Sequence, residues 1–250
     1  MPRVRMEFSK GDQVRFLSHL DIVKAFERAI RRAGIPIAFS EGFNPHPKMN
    51  FASALAVGVT SDREYIDIEL RETMAAGEVM SGISGVLPAG IKISGAMVVP
   101  DNSPALMAIV NRADYRIIVP LKVPLVTESL TEGIARYMNS SEVMIMKLTK
   151  KGFQPRNIRP GIKKLAGAVI EDKINFSILT VTGSEGNVRP EEVVRTLADY
   201  LDNEFDADLP QINRAGLYTE HDGRLLTPMD MGSIDGDKEG KVKGGGDSFA

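Results

Sequence analysis

Residues 15–51, RFLSHLDIVKAFERAIRRAGIPIAFSEGFNPHPKMNF, decide how the rest of the chain is read. Val14, Phe16 and Leu17 end a strand, and Ser18 with Asp21 has the S-x-x-[DE] spacing of a capping box. Ile22, Val23, Phe26, Ala29, Ile30 and Ala33 then recur at spacings of three and four, which predicts an amphipathic helix over Leu20–Ala33. Lys24, Glu27, Arg28, Arg31 and Arg32 fill its other face. Gly34 supplies a left-handed residue after the helix, and Pro36 stops the helix from resuming.

Alternation of apolar and polar residues extends this pattern on both sides. Val4, Met6 and Phe8 predict a first strand; Ile35–Phe39 reads as a second, and Met49–Val57 as an extended run that pairs with Glu64–Leu70. A weaker helix over Met74–Leu87, capped by Thr73, and a strand at Ile91–Val99 complete βαββαβ. After a linker at Asp101–Pro104 and a short helix over Ala105–Arg112, the order recurs. Tyr115–Leu121 is a strand, Leu130–Met138 a helix capped by Thr127, Val143–Leu148 a strand, and Thr149–Leu165 a basic insertion. Ile174–Val181, a helix over Pro190–Leu201 and a strand at Ile212–Tyr218 close it. The expected fold is α+β: two ferredoxin-like domains with antiparallel sheets, spanning residues 1–102 and 113–220. Apolar periodicity fades from about Glu220 and residues 233–250 are Gly-rich and charged, which predicts a disordered tail over 221–250.

The 250 residues include no cysteine, which excludes disulfides, thiolate metal sites, a cysteine nucleophile and iron–sulfur ligation by this chain. No apolar run reaches the length of a bilayer span, and the N-terminal residues lack a signal core, so a cytoplasmic protein without membrane contact is expected. The net charge of −2 hides an uneven distribution. Residues 143–170 hold Lys147, Lys150, Lys151, Arg156, Arg159, Lys163 and Lys164 and no acid. Such polarity provides an anion-binding face on a nearly neutral molecule.

Among the three histidines, His19 stands at the first turn of the cationic helix, where free N–H groups favour a phosphate or carboxylate. His46 is held between Pro45 and Pro47, which stiffen the loop that also carries Gly42, Asn44 and Lys48. The expected RNA or anion site is therefore His19, Arg28, Arg31, Arg32, Gly42, Asn44, His46 and Lys48, extended by Lys150, Lys151, Arg156 and Arg159 around Phe153. Should the two imidazoles flank one phosphate, His19 and His46 offer acid–base chemistry for a metal-independent ribonuclease or transferase. No metal site is expected: Asp67 and Glu69 are the only near-neighbour carboxylates on a strand, and they read as surface.

Phe16-Leu-Ser-His19-Leu-Asp21, Arg31-Arg32-Ala-Gly34, Ser40-Glu-Gly42-Phe-Asn44-Pro45-His-Pro47 and Tyr65-Ile-Asp67-Ile-Glu-Leu carry a family resemblance over residues 1–100. It continues more loosely through Asn157-Ile-Arg159-Pro and Arg214-Ala-Gly216-Leu to about residue 220. The chain resembles the bacterial radical-SAM-linked proteins, a domain of unknown function fused behind, or encoded beside, a radical SAM protein. The resemblance implies a radical SAM partner working on RNA or the translation apparatus, with S-adenosylmethionine and the iron–sulfur cluster carried by that partner. An accessory, RNA-binding or substrate-presenting role follows, with a protein-only scaffold as the blander alternative. In strand order the chain is also similar to CRISPR repeat-processing endoribonucleases, a likeness of fold alone.

Overall fold

A computed structural model describes residues 1–231. The capping box forms as the sequence dictates: Ser18 Oγ accepts from the Asp21 amide, and Asp21 accepts from the Ser18 amide. Helix α1 accordingly runs His19–Arg32, and Gly34 takes φ 67° just beyond it. Around it the first half reads β1 (Arg3–Lys10), α1, β2 (Met49–Phe51), β3 (Thr60–Glu69), α2 (Ala76–Ser84) and β4 (Ile91–Val99). The strands lie in the order β4-β1-β3, with β2 beside β3, all antiparallel. Val4, Met6 and Phe8 of β1 and Ile66 and Ile68 of β3 share one buried cluster with Phe26 and Ile30 of α1 and Val79 and Ile83 of α2.

A one-turn helix, α3 (Leu106–Ile109), leads into the second half. It comprises β5 (Arg112–Pro120), α4 (Thr127–Asn139), β6 (Met144–Thr149), β7 (Gly152–Asn157), β8 (Ile162–Ile170), β9 (Lys173–Val181), α5 (Pro190–Ala198), β10 (Gln211–His221) and β11 (Arg224–Leu226). Its strand order is β10-β5-β9-β8, the order of the first half repeated, with β6 and β7 forming a separate hairpin. Leu130 and Tyr137 of α4 and Val193 and Leu197 of α5 are buried with Ile117, Ile174, Phe176 and Ile178.

The two halves share one sheet. Thr60 and Ser61 of β3 pair in parallel with Asn213 and Arg214 of β10, which joins the strands into a nine-stranded, mostly antiparallel sheet. The sequence reading placed the start of this strand at Glu64. Only the earlier start, at Thr60, creates the seam.

Five further expectations are corrected. Ile35–Phe39 is not a strand; it makes single bridges, Ile37 to Leu70 and Phe39 to Pro47, because Pro36 and the following loop prevent a continuous ladder. Thr127 does not cap α4, which starts at that residue after Val126. The basic insertion is not one loop: it holds β7 and the start of β8. Asp67 is buried, 1% exposed, and is held by Arg5. Finally, residues 221–231 are ordered: β11 pairs with β10, Thr227 and Asp230 exchange backbone-to-side-chain bonds, and the Pro228 carbonyl accepts from Arg5. The disorder expected for 232–250 falls outside the described residues.

Candidate functional site at the seam

Lys10, at the end of β1, is 1% exposed, and its ammonium donates to the carbonyls of Arg15, Leu17 and Ala56. Three donated bonds use all three protons of the charged form. Arg214 of β10, 2% exposed, grips Glu64 of β3 with Nε and NH2, the Nε bond measuring 2.7 Å. The Ser61 hydroxyl lies 2.6 Å from Glu64 Oε1 and 2.9 Å from the Arg214 carbonyl. The remaining amino group, NH1, makes bonds of 3.4 Å each to Ser53 Oγ and the Ala54 carbonyl, and the guanidinium also has the Tyr115 hydroxyl as a hydrogen-bond partner. Burial raises the Tyr115 phenol above its ordinary value, which keeps it protonated against Arg214.

A cavity of about 280 Å³ opens here. Its floor is Arg214, Tyr115 and Val59, and one wall is the loop from Ser53 to Ala56. Asn187, Arg189, Pro190 and Glu191, at the start of α5, form the other. Its lining is evenly divided between apolar residues (Leu55, Val59, Pro190) and polar ones, with Arg189 and Arg214 as its cations and Glu191 as its carboxylate. None of Lys10, Glu64, Tyr115 or Asn187 emerges from motif reading, and Arg214 stands there only in the looser family segment Arg214-Ala-Gly216-Leu, without a site role. One signal was present: Arg214 keeps the inward phase of Ile212, so a charge occupies a core position of an apolar strand.

His19 belongs to this neighbourhood. Its ring stands edge-on to Phe51, centroids 5.2 Å apart, and burial lowers its pKa from the usual 6.5, with Glu64 opposing and Arg214 adding to the fall. A depressed imidazole binds fewer protons folded than unfolded, so stability falls with acidification, starting near 6.5 and continuing until the folded form itself titrates. Melting temperatures recorded from pH 7.5 to 5 are expected to fall more steeply for wild type than for His19→Gln. Equal slopes would remove this assignment.

The other sequence-predicted residues are dispersed over the surface. Arg28 and Arg32 line a groove with Val86, Leu87 and Pro88, and Arg31 is exposed on the same helix. Gly42, at φ 119°, Asn44 and His46 are exposed; the His46 amide donates to Ser40 Oγ. Lys48 pairs with Glu69 at 3.0 Å. Lys150 and Lys151 form the exposed turn between β6 and β7, beside Phe153, which is 65% exposed. Arg156 is half-buried beside Gly186. Arg159 is engaged structurally, its guanidinium donating to the carbonyls of Met138 and Ile162. Among the described residues no hydrogen bond or ring contact joins His19 to His46. No cluster of three or more His, Asp or Glu residues placed to hold a metal ion occurs among the described residues, and no helix there is long and apolar enough to cross a membrane.

Comparison with solved structures gives distant similarities. A Cbf5-Nop10-Gar1 complex matches at 9% identity and a TM-score of 0.47, over 97% of this chain and 57% of its own. An archaeal box H/ACA sRNP Nop10-Cbf5 complex matches at 9% identity and 0.44, over 93% and 53%. A protein from Galdieria sulphuraria of unknown function matches at 12% identity and 0.25, over 86% and 97%. The chain thus spans a little over half of the first two, and nothing about function follows from similarity at this level. No curated protein matches. A family described as an uncharacterized protein conserved in bacteria (DUF2344) matches residues 3–190, three quarters of the sequence, and the chain belongs to that family.

Proposed function

We propose that the protein is a non-catalytic accessory to a radical SAM enzyme, which binds RNA and presents it to that partner. Each half is read as a ferredoxin-like unit. One observation carries the RNA part: Arg28, Arg31, Arg32, Lys150, Lys151 and Arg156 have no ion-pair partner among the described residues, whereas Arg5, Arg112 and Arg214 are all paired. Cations kept free at a surface are available to phosphates, and the exposed Phe153 ring offers a face for a base. The radical SAM part rests on the motif resemblance. It is compatible with a cysteine-free chain, because such an enzyme's cluster needs thiolates that only another chain can supply.

Each lost phosphate contact on single-stranded RNA reduces the slope of log affinity against log salt by about 0.7. Lys150→Ala/Lys151→Ala is therefore expected to reduce it by about 1.4 and Arg28→Ala/Arg31→Ala/Arg32→Ala by about 2, measured by fluorescence anisotropy. Unchanged affinity and slope in both variants would sink the RNA reading. Crosslinking in cells, with sequencing of the bound RNA, identifies the substrate.

A protein-only scaffold has one observation in its favour. Met144, Met146, Leu148 and Phe153 are all at least half exposed on the β6–β7 hairpin. RNA-free copurification with a radical SAM partner, lost when these side chains become Ser, would favour the scaffold.

A further inference from the structure

The buried groups at the seam do not balance in charge. Lys10 and Arg214 are both cations, each at most 2% exposed, and Glu64 is the one buried carboxylate between them. An uncompensated charge away from water is costly, and an anion beside it removes the cost. The cavity lies where such an anion fits. Arg214 lines it, its NH1 bonded at 3.4 Å to Ser53 and Ala54 of the cavity wall, and the Lys10 ammonium is one carbonyl away, on Ala56 of the same wall.

We propose that this cavity is a binding site for a phosphate group, carried on a small molecule or on the end of an RNA chain. The donors come from three separate elements. Arg214 rises from β10, Ser53 from the loop after β2, and Asn187 and Arg189 from the approach to α5. Donors converging from several directions suit a tetrahedral anion better than a planar carboxylate, and guanidinium groups are the strongest of them. The α5 N-terminus adds its positive end on the same side, offset in part by Glu192, which accepts from the Arg189 amide. At about 30 Å³ per water, a cavity of about 280 Å³ holds far more than the phosphate, so a sugar-sized carrier fits with it. Glu191 is the only carboxylate on the lining and works against the anion. The inference stands apart from the RNA reading, since none of the unpaired surface cations named above lines this cavity.

The test is binding of inorganic phosphate to the full chain, by calorimetry and by thermal shift. At saturating phosphate a rise of about 5 °C is expected in wild type. Arg189→Ala weakens binding about tenfold, Ser53→Glu abolishes it by placing a carboxylate among the donors, and Glu191→Gln tightens it. Circular dichroism confirms that each variant is folded, and Arg31→Ala/Arg32→Ala binds phosphate as wild type does. Affinities for a nucleoside 5′-monophosphate and for a 5′-phosphorylated oligoribonucleotide, with its 5′-hydroxyl twin as control, tell a small-molecule carrier from an RNA end. No phosphate binding by wild type, or binding that survives both Arg189→Ala and Ser53→Glu, overturns the proposal. Absence of phosphate binding by wild type with RNA affinity intact removes this inference and leaves the RNA reading standing.

Discussion

Arg214→Ala is expected to lower stability by about 3–5 kcal/mol, the cost of leaving one partner of a buried ion pair behind. Glu64, 3% exposed, would keep only the Ser61 hydroxyl and the more distant Lys10 charge. For a chain of this size that corresponds to a fall in melting temperature of roughly 10 °C. The effect belongs to the unpaired carboxylate more than to the lost contacts. Arg214→Met/Glu64→Leu should therefore recover most of it, because an apolar pair of similar volume is often nearly neutral at such a site. Urea unfolding of the two single variants and the double variant measures the coupling. Additive losses would show that Glu64 and Arg214 do not act as a pair.

The second large effect is expected at Arg5. Its guanidinium holds Asp67 with Nε and NH2 at 2.8 and 2.9 Å and donates through NH1 to the Pro228 carbonyl at 2.8 Å. Arg5→Ala leaves Asp67, 1% exposed, with only Arg3 at 3.7 Å. A cost of about 3–4 kcal/mol is expected, again from a stranded buried charge. It should come with a local signature, since the same side chain ties down the end of the described chain. Hydrogen exchange in residues 224–231 should accelerate, while α4 and α5 change only through global unfolding. Unchanged exchange there would mean that β11 and Met229, which packs beside Gly95, hold the segment without Arg5.

Both predictions concern charged residues that strand periodicity treats as surface. Alternation along β1 assigned Arg3, Arg5 and Glu7 to the outer face, and along β3 it assigned Asp67 and Glu69 there. That face is covered at Arg5 and Asp67 by the segment around Pro228, which returns from more than 220 residues away. The reading of residues 221–231 as disordered failed for the same reason. Its apolar residues, Leu225, Leu226, Met229 and Met231, show no regular period, and it is held by pairing with β10, by Met229 against the core and by the bond from Arg5 to the Pro228 carbonyl. β8 was missed because Lys163, Lys164, Ala166, Gly167 and Ala168 give no alternation. Its identity as a strand comes from pairing with β9.

The sequence by itself determined the elements whose causes lie within a few residues. These are the capping box and apolar stripe of α1, the stop at Gly34, and the strands β1, β4 and β9. Each depends on neighbours no farther away than a helical turn or a strand's pleat, so a linear reading contains the necessary information. The sequence also fixed one chemical limit, because a chain without cysteine cannot supply thiolate ligands. Tertiary structure alone decided that the halves share one sheet and that Arg214 meets Glu64 across 150 residues of chain. It also brought Lys10, His19, Tyr115 and the start of α5 to the same seam. Charge at a core position is legible in a sequence as an anomaly, but its partner is selected by packing, and only the folded chain shows which carboxylate, carbonyl or cavity it faces.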